Sequence, residues 1–452
     1  MNSSAPLLGS LASVSLVTGL FASGLPAQDD KPEHPPTDLS PWIDLFDGET
    51  LNGFTETGGR YDGTAKWSVE DGLIVGRPGD NRAGGLLYTE QRWHSFDFTF
   101  ETKIDWPFDS GVFVRMSPDG KGAQVTLDWR PNGEIGGIYS DGWLEHRPEG
   151  ASKFGRDAWN ECRVRCTGDD LHLEFWIGEE KLTDFQLPPG TEGYAATGLL
   201  GVQVHPDVGS EDDAVRFRNL RLRELPVFDT REFEMSDEGF LAAKPDTGWM
   251  PLLDPELSKW QSAGDPAMES SGYRMEDGIL RVSSKGTAPQ LETREDFQDF
   301  EYRMEFRTAR GANSGLFLRA ARDGSNPAYS GCELQILDDW FFEKDHNYTL
   351  QDWQKTASLY GAVPANAGTI LYPNGRWNTL EVRYVGSQLR ARLNGVVLYD
   401  VDTHSLEPAQ GAAFAERART GFIGLQRHAV QRDEPHDYAW FKNVFVRRVK
   451  AD

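Results

Sequence analysis

Asn313-Ser-Gly-Leu-Phe-Leu-Arg319, a short Gly/Ser/Asn/Pro loop, and then Cys332-Glu-Leu-Gln-Ile-Leu-Asp338 decide the reading of this chain. Both segments alternate with a period of two, the spacing at which side chains of a strand point to opposite faces, so they read as neighbouring strands. Leu316, Leu318, Cys332, Leu334 and Ile336 fall on one face, and Phe317, Arg319, Glu333 and Gln335 on the other. The first set suits a core. A half-covered antiparallel sheet turns solvated residues the other way, but Arg, Glu and Gln on facing strands equally suit the lining of a groove. That second face is the candidate site.

Outward from this pair, the chain from Pro41 onward is a series of short alternating runs broken by Gly, Asp-Gly and Asn-Gly, the pattern of an all-β sandwich or barrel. The pattern occurs twice. Leu45-Phe-Asp-Gly matches Leu252-Leu-Asp-Pro, and Trp67-Ser-Val-Glu-Asp-Gly-Leu-Ile matches Tyr273-Arg-Met-Glu-Asp-Gly-Ile-Leu. Asp109-Ser-Gly-Val-Phe-Val-Arg115 matches Asn313 to Arg319, Trp159-Asn-Glu matches Trp377-Asn-Thr, Leu200-Gly-Val-Gln-Val-His205 matches Ile423-Gly-Leu-Gln-Arg-His428, and Phe217-Arg-Asn-Leu matches Phe441-Lys-Asn-Val. The near-constant offset indicates a duplicated domain rather than a solenoid. The expected organisation is a leader at 1–27, a linker at 28–40, a sandwich at 41–227, an acidic linker or packing strap at 228–248 and a second sandwich at 249–450.

The repeats differ at the candidate face. Where the second has Glu333 and Gln335, the first has Gln124, Thr126 and Asp128. The second also carries a long loop between Asp338 and Pro373, rich in aromatic residues and including Trp340 and Tyr360, and loops of that length usually serve a function. We expect it to wall the polar face, with Trp340, Tyr360 and Asp338 contacting substrate and the first repeat acting as a reduced or binding copy. Gln426 and His428 share the outward face of their strand, as do Gln203 and His205. A histidine there can be a base, a metal ligand or a structural hydrogen-bonding group. Together with Arg319, Glu333 and Gln335 it forms the candidate constellation, with Arg115, Gln124, Gln203 and His205 as first-repeat counterparts.

Composition narrows the partners. The 452 residues suffice for two domains of roughly 200 each. A formal net charge of -25, from 46 Lys+Arg against 71 Asp+Glu, disfavours nucleic acid and anionic membrane and suits a neutral substrate or a cation. Leu7 to Leu25 is an apolar Ser/Gly/Ala-rich run ending Leu-Pro-Ala27, which reads as a secretory leader although its first residues lack Lys or Arg. A periplasmic or secreted location follows, and no later run is apolar enough to span a bilayer. Cys162 and Cys166, four strand residues and about 13 Å apart, lie beyond disulfide reach. All three cysteines read as buried apolar groups.

No nucleotide loop, zinc spacing or nucleophile elbow appears. A divalent cation held by Glu333, Asp338 or His428 stays open. Glu333-x-Gln335-x-x-Asp338 partly matches the Glu-x-Asp-x-x-Glu run of retaining β-glucanases, in which a bulged strand brings two carboxylates to about 5 Å.

The ordered set of Leu45-Phe-Asp-Gly, Val69-Glu-Asp-Gly, Asn313-Ser-Gly-Leu-Phe-Leu-Arg, Glu333-Leu-Gln-Ile-Leu-Asp, Trp377-Asn-Thr-Leu-Glu-Val, Leu393-Asn-Gly-Val, Ile423-Gly-Leu-Gln-x-His and Phe441-Lys-Asn-Val resembles the 3-keto-disaccharide hydrolase domain family over nearly all of both repeats. The resemblance implies two tandem concanavalin A-like jelly-roll sandwiches, with ligand on one concave sheet. It also implies an oligosaccharide or glycoside substrate whose C3 hydroxyl a separate sugar 3-oxidoreductase has oxidised. On that chemistry, His428 or Glu333 is expected to act as base and Arg319 or a cation as enolate stabiliser, with Gln335 and Gln426 orienting hydroxyls. A non-catalytic lectin-like protein and a retaining β-glucanase are the competing readings.

Overall fold

Tight hairpins set the frame. Asp71, Asp277 and Asn394 adopt φ of 51°, 52° and 48°, each followed by a glycine at φ of 76°, 76° and 82°. Two successive positive φ values make the turn whose twist matches paired strands, which is why Asp-Gly and Asn-Gly recur. The computed structural model describes residues 41–188, 191–264, 267–345, 348–368, 370–428 and 436–450; the leader and the 28–40 linker lie outside the described residues.

Each repeat is a sandwich of two antiparallel sheets. In the first, an eight-stranded outer sheet centred on Phe96–Ile104 and Val215–Glu224 faces a seven-stranded groove sheet in which Phe108–Met116 lies between Gly198–Val204 and Ala123–Trp129. In the second, an eight-stranded outer sheet centred on Phe300–Thr308 and Asp437–Arg448 faces a five-stranded groove sheet. Its spatial order is Trp260–Ser262, Gln290–Thr293, Phe422–Gln426, Asn313–Ala320 and Cys332–Leu337. The all-β tandem sandwich read from the alternation is therefore the fold.

Alternation also fills the cores. Leu316, Leu318, Cys332, Leu334 and Ile336 pack against Leu380, Val382 and Phe441 of the opposing sheet, and Val112, Val125, Cys162 and Val164 do the same in the first repeat. Each such side chain contributes about 1.5–3 kcal/mol by leaving water. The three cysteines are free and buried.

Phe228 to Gly248 is a packing strap. Phe233–Met235 pairs with Leu241–Ala243 as a hairpin, and Phe233 and Leu241 form an apolar cluster with Phe228 and Phe445 of the second outer sheet. The strap roofs an ionic group on that sheet. Arg303, Glu305 and Lys442 are almost wholly buried, and Lys442 and Asn443 donate to the strap carbonyl of Gly239. Both sandwiches lie within one compact unit, Asp38–Asp452. Across the seam, Arg392 pairs with Asp169, Arg376 pairs with Glu224, and Val227 N–H donates to Thr379 Oγ1 at 3.3 Å.

The structure corrects the expectation for Arg319 and Arg115. Strict alternation would turn both onto the groove face. Instead they adopt φ of 52° and 51° beside irregularities in the ladder, which breaks the parity of the strand. Arg319 swings away from the groove and donates to the carbonyls of Gln298, Gly386 and Tyr384 and to Asp299, its guanidinium 3.5 Å from the centre of the Tyr384 ring. Arg115 likewise donates to the carbonyls of His94 and Asp169. The repeated terminal arginine fastens one sheet to the other and is not available to an enolate.

Candidate active site

Cross-strand register assembles the groove of the second repeat. Residues directly opposite on antiparallel strands share a face. One row therefore runs Glu292, Gly424, Phe317, Glu333, and the segment after the long loop adds Tyr360, whose N–H donates to the Glu333 carbonyl at 2.8 Å. The adjacent row runs Gln290, Gln426, Gly315, Gln335. His428 lies two residues beyond Gln426, exposed at the rim of the same cleft. Glu333, Gln335 and Gln426 thus share one face, as the alternation predicts, while Tyr360 joins it from the long loop and His428 lies just past the strand end at Gln426.

Glu333 is the unusual member. It is 4% exposed, and among the described residues its carboxylate has no hydrogen-bond partner. Loss of water alone pushes its pKa up to about 8. The space it occupies is supplied by Gly315, because a Cβ there would stand 2.3 Å from Glu333 Oε1. What this glycine admits is the carboxylate of the next strand. Phe317 flanks the group at 2% exposure. Tyr329, its hydroxyl donating to Gln410 Oε1 at 2.6 Å, lies near enough to feel the Glu333 and Tyr360 charges.

The two glutamines are held differently. Gln335 Oε1 accepts from the N–H of Ile336 at 2.9 Å, which fixes the amide and leaves its NH2 as the groove-side donor. Among the described residues, Gln426 Oε1 is buried with no donor. An orphaned acceptor costs about 1–3 kcal/mol, so a ligand hydroxyl that fills it gains correspondingly.

Two expected contacts fall elsewhere. Asp338 is consumed locally: its Oδ2 accepts from Gly311 N–H and Asn374 Nδ2, and its Oδ1 from Phe341 N–H. Cys332–Leu337 pairs in unbroken register, so no bulge carries Asp338 toward Glu333, and the spacing of a retaining carboxylate pair is not met. Trp340, 64% exposed, borders a separate cavity with Asp338, Asp339 and Asn374. The long loop is a wall only in its later part, where Leu359 bridges to Leu334 and Tyr360 follows. Among the described residues no group of three or more His, Cys, Asp or Glu is placed to hold a metal ion. Of the three cation ligands considered, Asp338 is already committed to the N–H groups it accepts from.

The first repeat keeps the scaffold and changes the chemistry. Gln124 holds the register position of Glu333 and leans over Gly111 as Glu333 leans over Gly315. Its Nε2 donates to Gln203 Oε1 at 2.8 Å, closing the pair that the second repeat leaves open. His205 Nδ1 lies 2.7 Å from the Pro206 carbonyl and Nε2 3.7 Å from Asp109, with burial lowering the imidazole pKa. Burial and neighbouring Asp128 push Asp109 up to about 7. Glu292 and Gln290 were not found from sequence, because their strand lies far from the quoted pair; Tyr329 sits in the short loop between the two quoted strands, where alternation gives no facing.

The family model for the 3-keto-alpha-glucoside-1,2-lyase-like domain matches residues 41–223 and again 248–447. A 3-keto-disaccharide hydrolase of Bacteroides thetaiotaomicron is 27% identical over 244 residues, spanning 44% of this chain and 78% of the relative. Among solved structures, a candidate glycosyl hydrolase from Parabacteroides distasonis aligns over 44% of this chain and 99% of its own, at 22% identity and a TM-score of 0.37. A Bacillus licheniformis beta-glucanase aligns over 41% of this chain and 97% of its own, at 12% identity and a TM-score of 0.30. With both sandwiches matched, the chain belongs to the 3-keto-alpha-glucoside-1,2-lyase-like domain family, in two tandem copies.

Proposed function

We propose that the second-repeat groove cleaves 3-keto-glycosides by removing the C2 proton and expelling the C1 substituent. The observation that carries this reading is Glu333, a buried carboxylate with no partner among the described residues. A C3 ketone acidifies the C2 hydrogen, and a base raised to about 8 is far stronger than an ordinary carboxylate. Taking the proton also neutralises Glu333, the state its dry surroundings favour. The family description and the name of the Bacteroides relative support a ketone-bearing sugar as substrate.

In the proposed step the C2–H bond breaks, its proton passes to Glu333, and the electron pair forms an enolate on the C3 oxygen. The Gln335 NH2 donates to that oxygen, while Gln426 Oε1 accepts from a sugar hydroxyl. The enolate then re-forms the ketone as C1=C2 closes and the C1–O bond breaks, and His428 at the rim protonates the departing oxygen. Addition of water across C1=C2 completes net hydrolysis. Export, and an upstream oxidoreductase that makes the ketone, are proposed on the sequence alone.

The test is mass spectrometry of products from glucosides and from their 3-keto forms, in water and in D2O. Cleavage confined to keto substrates, with deuterium at C2 of recovered substrate and loss of both in Glu333→Gln, is the expected result. Cleavage of unoxidised glycans would return the glucanase reading. Tight sugar binding with no turnover would make the protein a lectin.

A further inference from the structure

The first turn of the long aromatic loop leads away from the groove, to a cavity of about 740 Å3 bounded by Leu337, Asp339, Trp340, Leu371, Tyr372 and Asn374. An unbroken strand sets Asp338 five residues beyond Glu333, about 16 Å, so the cavity stands apart from the proton-transfer site. Its volume is that of a small-ligand pocket. Trp340 stands 64% exposed at the rim, an apolar ring facing water. Tyr372 is half-buried, and among the described residues its hydroxyl has no hydrogen-bond partner. Burial alone pushes that phenol up to about 12. A hydroxyl taken from water and left unpaired is costly, so a polar ligand that pairs with it gains binding. The other polar groups are fixed in advance. Asp339 accepts from Thr356 N–H at 3.0 and 3.1 Å and from Thr356 Oγ1 at 3.1 Å, and burial pushes it up only to about 6, so it stays a carboxylate at neutral pH. Asn374 is held at both ends, Oδ1 accepting from Thr308 Oγ1 at 2.8 Å and Nδ2 donating to Asp338 Oδ2 at 2.7 Å.

The first repeat closes the same end of its sandwich. By register Asn313 faces Leu337 as Asp109 faces Asp128, so Trp129 holds the position of Asp338. Its ring centre lies 5.0 Å from that of Trp106 and 5.3 Å from that of Phe154. The chain there turns at Arg130 to Gly133 directly into the strand Ile135–Tyr139. An aromatic plug in one copy is thus a lined cavity in the other, where the long loop is inserted.

We propose that this cavity is a second, non-catalytic binding site, and that it holds one unit of a neutral glycan chain whose hydroxyls are all unoxidised. An exposed indole beside fixed polar groups matches a pyranose, which presents a C–H face to a ring and hydroxyls at its edge. Asp339, Glu343 and Asp352 line the cavity as carboxylates, which only accept hydrogen bonds. A hydroxyl donates to such a group and a ketone cannot. The cavity therefore selects the alcohol form of a sugar, the opposite of what the proposed reaction requires in the groove. By holding the unoxidised polymer it keeps the protein beside the material from which a keto sugar is made.

The test is affinity electrophoresis of the full chain through gels that contain laminarin, dextran, arabinoxylan or galactomannan. At least one of these should retard the native protein, and Trp340→Ala should raise the dissociation constant at least tenfold. Tyr372→Phe keeps the ring and the packing, and loss of the hydroxyl alone should raise it at least threefold. The methyl glycoside of the retarding glycan's own sugar should compete at least tenfold better than its 3-keto form. Equal retardation of the native and Trp340→Ala chains, no retardation by any of the four glycans, or better competition by the keto form would each overturn the proposal. The cavity acts independently of the groove, so Glu333→Gln should be retarded like the native chain. Trp340-dependent retardation of a native chain that cleaves no keto-glycoside would sustain the site and refute the proposed reaction.

Discussion

Replacing Glu333 by Gln should disable the reaction and, at alkaline pH, make the protein more stable. The unfolded carboxyl titrates near 4.5 and the folded one at about 8. Between these values the unfolded chain has released the proton while the folded chain retains it, so stability falls as pH rises and levels off above 8. About 3.5 pKa units at about 1.36 kcal/mol each give about 5 kcal/mol in full, of which about 1 kcal/mol is already lost at pH 5. Relative to Glu333→Gln, the native chain should therefore lose about 4 kcal/mol between pH 5 and pH 9. Titrations common to both proteins, that of Asp109 included, cancel in the difference. The first repeat shows that the substitution fits, since Gln124 occupies the equivalent place over Gly111. Urea unfolding of both proteins at pH 5, 7 and 9 measures the difference, and turnover should fall by about 10²–10⁴ if Glu333 moves the proton. A stability difference that changes by less than about 1 kcal/mol across the range would refute the claim that Glu333 is a dry, unpaired acid.

The native rate should climb with pH through about 8, because only ionised Glu333 accepts a proton; a kcat/KM profile that is flat from pH 6 to 9 would exclude it as base. Gly315→Ala puts a methyl group where Glu333 Oε1 lies, and kcat should drop at least about tenfold while circular dichroism keeps the native β signal. Arg319→Met removes a buried cation from four acceptors and should cost about 3–5 kcal/mol of stability, yet the folded protein should keep KM within about twofold; a selective loss of kcat would return Arg319 to the chemistry.

Alternation carried most of the fold. Leu316, Leu318, Leu334 and Ile336 announced the core face, and the same parity brought Glu333, Gln335 and Gln426 to one groove. Parity failed where the backbone left the extended region, since nothing in Phe-Leu-Arg signals that Arg319 takes a positive φ. Asp338 failed for a related reason: spacing along a strand says nothing of which N–H groups a carboxylate will find at the strand end. Glu292 escaped notice because a groove joins strands that are neighbours in space and remote in sequence, and its partners Gln261 and Arg322 come from two further segments. The raised pKa of Glu333 was equally out of reach, being set by what surrounds it rather than by its own strand.

The strap over the second outer sheet separates the unit that was duplicated from the unit that can be cut free. Sequence similarity ends the first copy at 223 and starts the second at 248, leaving Phe228, Phe233 and Leu241 in neither. A fragment beginning at Trp249 would present to water the Phe445 side chain and the Arg303, Glu305 and Lys442 group that the hairpin now roofs. Dissection of the two halves must keep Val227 to Gly248 joined to the second, because that segment packs on the second outer sheet although it belongs to neither copy.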